Sequence, residues 1–268
     1  MKITILGCGN MGLVYARAFL KYNIVSKENL LLVEKNETRK EELKKLDIGR
    51  VVVPDDNIIS ESDVIILAVK PQDFSDLAAQ LKKVLKPHTV LLSIMAGVTI
   101  NRLQEILEHK TIIRAMPNSP VEIGQGVTAY STSAGLSHDV VKKAENLLST
   151  TGRSIYFEKE ELLDAVTALS GSGPAYFFYF VRTLIEAGKQ MGMDEATAGI
   201  LVKQTMLGSF HLINNANKSL DDLIKTVASK GGTTEAALNT FNRHHVSDHV
   251  IEGLVNAEKR AKELSTGG

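Results

Sequence analysis

Ile3-Thr4-Ile5-Leu6-Gly7-Cys8-Gly9-Asn10-Met11-Gly12 decides how the chain is read, because an apolar β-type run leads into a G-x-G-x-x-G pattern and a helix-like stretch follows. The first glycine permits a tight turn off the strand. The second lets backbone approach a pyrophosphate, and the third lets helix and strand pack closely. Free N–H groups and the dipole at the helix start favour a negative charge there. The order strand, turn, helix predicts a dinucleotide site.

Working outward, β-like runs alternate with helical ones through the first half. Strands are expected at residues 2–7, 30–34, 50–53, 64–69, 89–95, 111–116, 127–130 and 153–157. Helices are expected at 11–21, 37–46, 73–85, 100–107 and 137–149. Val64-Ile65-Ile66-Leu67-Ala68-Val69 is apolar throughout, which marks a parallel strand covered on both faces. The alternation predicts an α/β fold, a doubly wound, mostly parallel sheet of Rossmann type. Near residue 158 the character changes, and long helical stretches follow at 160–170, 174–191, 194–215, 220–227 and 234–264. Two domains are therefore expected: a dinucleotide-binding domain over 1–158 and an all-helical domain over 159–268. The tail from Ser265 is expected to fray. Ala175-Tyr176-Phe177-Phe178-Tyr179-Phe180-Val181 is apolar or aromatic all round, which predicts a homo-oligomer interface in the helical domain.

Lys+Arg and Asp+Glu both number 31, so no global basic field draws the chain to nucleic acid or an anionic membrane. The single cysteine, Cys8, supports neither a disulfide framework nor a cysteine metal cluster and fits a reducing compartment. The opening residues carry no secretory pattern, and the longest apolar runs are strand-length. A cytoplasmic enzyme is expected, without a metal. His244, His245 and His249 are read as a solvated or interface helix face rather than ligands.

Glu34 closes the second strand, 22 residues after Gly12, where a carboxylate hydrogen-bonds the adenosine ribose hydroxyls and favours NADH. Lys35, Arg39 and Lys40 follow at once and argue the other way, since cations there suit the extra phosphate of NADPH. Both NADPH and NADH thus stay open. Ala68-Val69-Lys70-Pro71 and Ser93-Ile94-Met95-Ala96-Gly97 end strands on the face where ligands sit in such sheets. In the helical half, Leu169-Ser170-Gly171-Ser172-Gly173-Pro174-Ala175 is read as a loop before a helix. Ser229-Lys230-Gly231-Gly232-Thr233-Thr234-Glu235 forms a second glycine turn, whose N–H groups and hydroxyls suit a small carboxylate.

Five of these motifs, in order, resemble the pyrroline-5-carboxylate reductase family: Gly7-Cys8-Gly9-Asn10-Met11-Gly12, Ala68-Val69-Lys70-Pro71, Arg114-Ala115-Met116-Pro117-Asn118-Ser119-Pro120, Ser170-Gly171-Ser172-Gly173-Pro174-Ala175 and Gly231-Gly232-Thr233-Thr234. The resemblance implies the last step of proline biosynthesis, hydride transfer from NADPH or NADH to the cyclic imine 1-pyrroline-5-carboxylate. It also implies a helical dimerisation domain, with homodimers often assembled into decamers. It places the cofactor on Leu6, Gly7, Cys8, Gly9, Asn10, Met11, Asn57, Ala68, Val69, Lys70, Pro71, Met95, Ala96 and Gly97, to which the reading of the residues above adds Gly12, Glu34 and Lys35. It places the substrate carboxylate on Gly231, Gly232, Thr233 and Thr234; the residues themselves add the Ser229 hydroxyl, Thr234 as proton donor to the imine and Lys70 as a point charge at the site, so Thr234 and Lys70 are the candidate catalytic residues. Many members read Ser-Pro-Gly-Gly where this chain has Lys230, and some carry an acidic residue where it has Asn217. Two other readings remain: a 3-hydroxyacid dehydrogenase, which would need a lysine that the 170–174 stretch lacks, and a non-catalytic dinucleotide-binding regulator.

Overall fold

Each continuous apolar run becomes a central strand, and each helix start that follows reverses the chain over the sheet. In this computed structural model, which describes residues 1–54 and 57–265, the first part reads β1 (Ile3–Leu6), α1 (Asn10–Lys21), β2 (Leu30–Val33), α2 (Glu37–Leu46), β3 (Arg50–Val52), β4 (Val64–Leu67) and α3 (Pro71–Val84). It continues with β5 (Val90–Ser93), α4 (Ile100–Leu107), β6 (Ile112–Pro117), β7 (Gly126–Thr132), α5 (His138–Leu148), β8 (Gly152–Tyr156) and α6 (Leu162–Val166). The helical part reads α7 (Gly173–Gln190), α8 (Glu195–Asn215), α9 (Leu220–Val227), α10 (Thr233–Arg243) and α11 (Val246–Ser265).

The strands form one sheet in the order β3-β2-β1-β4-β5-β6-β7-β8, parallel except where β7 meets β6 antiparallel. Residues of β1, β2, β4 and β5 are buried at every position. Period-2 alternation sends Ile3, Ile5, Leu30, Leu32, Val64 and Ile66 to one face, against Tyr15, Ala16 and Phe19 of α1 and Leu147 and Leu148 of α5. Leu6, Leu31, Val33, Ile65 and Leu67 face the other way, onto Phe74, Ala78 and Leu81 of α3 and Leu103 of α4. A buried side chain of this size contributes about 1.5–3 kcal/mol relative to exposure. The sheet is therefore doubly wound, and the strand order turns back at β1, whose neighbours are β2 and β4. That switch point opens a crevice beyond the strands' carboxyl ends.

The chain groups into two compact units: Met1–Gly173 together with the chain from Ala257 onward, and Pro174–Asn256. Strands end at Tyr156, but α6 and the end of α11 group with the sheet, because buried Arg114 of β6 reaches Asp164 of α6 (3.1 Å) and Asp164 accepts from Ser265 Oγ (2.8 Å). Ser265 is thus held rather than frayed; residues 266–268 lie outside the described residues. Two further local expectations change. The 169–175 stretch is no loop: Thr167–Gly171 is a π-helical turn in which Ser172 N donates to Thr167 O (2.9 Å), and a Cβ on Gly171 would come within 2.5 Å of Met116 Cε. The C-terminal stretch is two helices, broken where His245 takes a left-handed φ of +51°.

In Pro174–Asn256 the apolar side chains lack cover. Phe177, Phe178, Tyr179, Ile200, Phe210 and Leu212 are all more than half exposed in the single chain, and only small residues such as Ala198 and Gly199 are buried on α8. This unit has no sizeable core of its own, which fits a self-associating surface. No helix among the described residues is long and apolar enough to cross a membrane.

Candidate active site

Most helices with a described start are closed by a side chain: Asn36 caps α2, Thr99 α4, Ser137 α5, Asp194 α8 and Ser219 α9. α1 and α10 differ, because glycines (Gly9 and Gly232) occupy their N-caps and offer no side-chain acceptor. Their first N–H groups are left for something else.

At α1 the first helical bond runs from Leu13 N to Gly9 O (3.0 Å), so the N–H groups of Asn10, Met11 and Gly12 have no acceptor among the described residues. Gly7 takes φ +92°, and a Cβ there would lie 2.7 Å from Ala68 O and Val69 N. A Cβ on Gly12 would lie 2.2 Å from Gly7 O, whereas one on Gly9 would meet nothing within 4 Å. Two glycines are thus required by close packing, and the third leaves open space where an anion can approach backbone. That is the cradle a dinucleotide pyrophosphate needs, so the residues present fit the cofactor. A cavity of about 410 Å³ opens here, lined by Leu6, Gly7, Gly9, Val33, Glu34, Lys35, Ala68, Val69 and Lys70 among others.

Glu34 lies at the end of β2 with its carboxylate over the glycine turn. Oε1 accepts from Lys35 N (2.8 Å) and Asn36 N (3.0 Å), and Oε2 from Cys8 N (3.3 Å). The Cys8 side chain turns into the core, and burial, followed by Glu34, pushes its thiol up to about 12; it is an inert thiol contributing backbone to the turn. Lys35 Nζ pairs with Asp73 Oδ1 (2.5 Å), and the Asp73 hydrogen bond raises its pKa. Arg39 pairs with Glu42 (2.7 Å) and places Nε and Nη2 each 3.4 Å from Cys8 O, while Lys40 pairs with Glu37 (2.7 Å). Lys70, the exposed N-cap of α3, has no ion-pair partner among the described residues, and Pro71 follows it at the first helical position.

Pro71, Asn57, Met95, Ala96 and Gly97, also expected at the cofactor, are not among the residues that line this cavity. Met95 buries its side chain and donates its N–H to Ser93 Oγ (3.3 Å), leaving Ala96 exposed. Gly97 takes φ +72° with Leu264 of α11 at 3.1 Å from its virtual Cβ. The 95–97 turn is braced by residues the sequence reading did not single out. Glu160 Oε1 accepts from Ile100 N (2.8 Å) and from Arg114 Nη1 (2.9 Å), and Arg114 also holds Asp164. Asn57 is exposed at the start of a short 3-10 turn, outside the cavity lining. Asp73 and Asp76 line the cavity as well and were also missed; being solvent-side positions of α3, they break no apolar pattern.

In the second unit, Gly231 takes φ +75° and donates its N–H to Glu235 Oε2 (2.8 Å), and Gly232 N donates to Ser229 O (3.0 Å). The first helical bond is Ala236 N to Gly232 O (3.2 Å), so the N–H groups of Thr233, Thr234 and Glu235 have no acceptor among the described residues. The hydroxyls of Ser229, Thr233 and Thr234 likewise carry no hydrogen bond among those residues. This turn is a small anion nest with hydroxyl donors around it. His245 pairs with Asp248 (3.1 Å), and no group of three or more His, Cys, Asp or Glu able to hold a metal is present among the described residues.

Two family models match successive parts of the chain. Residues 160–264 match the family model for pyrroline-5-carboxylate reductase dimerisation, and residues 2–97 match that for NADP oxidoreductase, coenzyme F420-dependent. The chain is 30% identical to pyrroline-5-carboxylate reductase 1 of Bacillus subtilis over 98% of its own length and 89% of the relative's. A Coxiella burnetii pyrroline-5-carboxylate reductase structure superposes with a TM-score of 0.87 at 30% identity, covering 98% of both chains. The Plasmodium falciparum pyrroline carboxylate reductase with NADP bound gives 0.87 at 27% identity, covering 99% of this chain and 98% of that one.

Proposed function

The chain belongs to the pyrroline-5-carboxylate reductase family, and from that premise we propose that it reduces 1-pyrroline-5-carboxylate to L-proline with NADPH or NADH. The observation that carries this reading is the pair of helix starts with glycine at an uncapped N-cap, one over a dinucleotide-sized cavity and one suited to a small carboxylate. A reduced nicotinamide, when bound, supplies the hydride for the imine carbon.

The chain's own residues bind and orient. The turn at 7–12 holds the pyrophosphate with the N–H groups of Asn10, Met11 and Gly12. Leu6, Glu34, Lys35, Asn57 and the segments 68–71 and 95–97 seat the rest of the cofactor. Lys70 supplies an ammonium in that cleft that has no ion-pair partner among the described residues. Thr233 and Thr234, with Ser229, Gly231 and Gly232, take the substrate carboxylate. The Thr234 hydroxyl hydrogen-bonds the imine nitrogen, where the proton resides in the product amine. We place the functional boundary at 158/159, supported by the end of strand structure at Tyr156 and the dimerisation match from residue 160. The assembly unit is a homodimer built by 159–268, from which a decamer is the higher order to look for. The compartment is the cytoplasm, a reading supported by the single buried thiol.

The test is turnover of 1-pyrroline-5-carboxylate by the full chain with each reduced nucleotide, following nicotinamide absorbance and L-proline formation. Turnover is expected, and its absence with both nucleotides overturns the reading. Thr234→Ala is expected to lower kcat/KM for the imine about 10- to 100-fold, the worth of a hydrogen bond to a charged group. Nucleotide affinity should stay within about twofold, because Thr234 lies outside the nucleotide cradle.

A further inference from the structure

We propose that this chain selects NADH over NADPH, and that Asp73 is a specificity residue that acts by holding Lys35 away from a 2′-phosphate. The inference rests on the preceding assignment of the cleft beside the glycine turn to a nicotinamide dinucleotide.

Two features of the cleft point this way. First, the Glu34 carboxylate is pinned by three backbone donors, from Cys8, Lys35 and Asn36, at the end of β2. A ribose 2′-hydroxyl can donate to it. A 2′-phosphate carries about −1.5 to −2 charge, brings acceptor oxygens, and meets a fixed negative charge instead. Second, the cations that would offset that phosphate are already engaged. Arg39 spans Glu42 and the Cys8 carbonyl, Lys40 is on Glu37, and Lys35 is on Asp73. Among the described residues, the charged ones lining the cleft are Glu34, Asp73 and Asp76 against Lys35 and Lys70, so carboxylates outnumber cations there.

Asp73 is the decisive partner because of where it stands. Arg39 and Lys40 are held by neighbours on their own helix, whereas Lys35 is drawn across 38 residues of sequence to the first turn of α3. An acidic residue at that position is also favoured by the α3 dipole, so a plain helix-stabilising role is the competing account. That account leaves nucleotide discrimination unchanged.

The experiment measures dissociation constants of NADH and NADPH by calorimetry on the full chain, with no imine present. The wild type is expected to bind NADH at least about tenfold tighter, a modest value for one unfavourable charge contact in a partly screened site. Asp73→Asn should narrow that ratio about three- to tenfold by tightening NADPH, as freeing one lysine for a phosphate allows. In a Lys35→Ala background the same substitution should move the ratio less than about twofold, because the partner it acts through is gone. Equal or tighter wild-type binding of NADPH overturns the proposal. So does a ratio unmoved by Asp73→Asn, with or without a lowered Tm, or one moved equally without Lys35. Selective nucleotide binding without imine turnover leaves this inference standing and sinks the reductase reading, whereas failure to bind either nucleotide sinks both.

Discussion

At Gly9 and again at Gly232 a glycine starts a helix with no side-chain cap, yet the two turns rest on very different ground. The first is clamped. Gly7 lies against the backbone of Ala68 and Val69, Gly12 lies against Gly7, and the strands beneath are buried on both faces. The second is open. A Cβ on Gly231 would meet nothing within 4 Å, and the surrounding helices expose Phe177, Phe178 and Phe210. On the proposed assignment, a single chain therefore carries a finished cofactor cradle and an unfinished substrate turn. Preorganised donors are effective only when their scaffold is rigid. The first turn draws rigidity from its own core; the second must draw it from association with another copy.

The strongest way to break this contrast is to prevent association. Phe178 is 69% exposed in the single chain, and Phe178→Asp would bury a charge in an apolar interface at a cost of about 3 kcal/mol or more. We expect a monomer by light scattering, with imine turnover lost and nucleotide affinity within about twofold of wild type, since the glycine cradle is built wholly by the other unit. A monomer that still turns over the imine at the wild-type rate would show that the second turn is complete alone.

Next in size is the clamp. Gly12→Ala places Cβ 2.2 Å from Gly7 O, a backbone atom that cannot rotate away. Overpacking of this kind costs about 1–3 kcal/mol and should weaken nucleotide binding at least about tenfold. Gly231→Ala meets no neighbour and is charged only for its φ of +75°, roughly 1–2 kcal/mol, with nucleotide affinity unchanged. Calorimetry and Tm on the pair check this. Equal losses of nucleotide binding in both variants would mean that the two turns are not built differently.

The same contrast explains what could be read from residues alone. The central strands β1, β2, β4 and β5 were legible because a sheet covered on both faces demands apolar runs such as Val64-Ile65-Ile66-Leu67, and α8 was legible because Asp194 is a good cap that accepts from Thr197 N. The first glycine turn was legible because a side chain does not fit at Gly7 or Gly12. What stayed hidden depends on partners distant in sequence. The π turn at Thr167–Gly171 follows from Met116 packing on Gly171, and the bracing of residues 95–97 from Arg114 meeting Glu160 and Asp164. Lys35 and Asp73 form a pair between solvent-side positions, which leaves no periodic trace. The break before α11 falls at His244 and His245, with neither glycine nor proline to mark it, because His245 itself adopts the left-handed conformation.

The smallest expected effect sharpens the second turn from within. Glu235 accepts from Gly231 N–H and so fastens the loop, but it also sets a negative charge beside the N–H groups assigned to a substrate carboxylate. The two roles separate on substitution. Glu235→Gln keeps an acceptor for Gly231 and removes the charge; Glu235→Ala removes both. If fastening and repulsion both operate, Glu235→Gln should lower KM for the imine about two- to fivefold, the size of a like-charge contact in a solvent-accessible site. Glu235→Ala should raise KM despite losing the same charge, because Gly231 is then free to leave its left-handed conformation and the helix start loses its order. A rise in KM with glutamine would show that the charge itself, not the acceptor, shapes the turn. Matching values for the two variants would show that the hydrogen bond to Gly231 does not fasten it. The clamped turn is less open to this experiment, since Gly7 and Gly12 are held by backbone, and the side chains that reach it, Glu34 and Arg39, touch only the intervening Cys8.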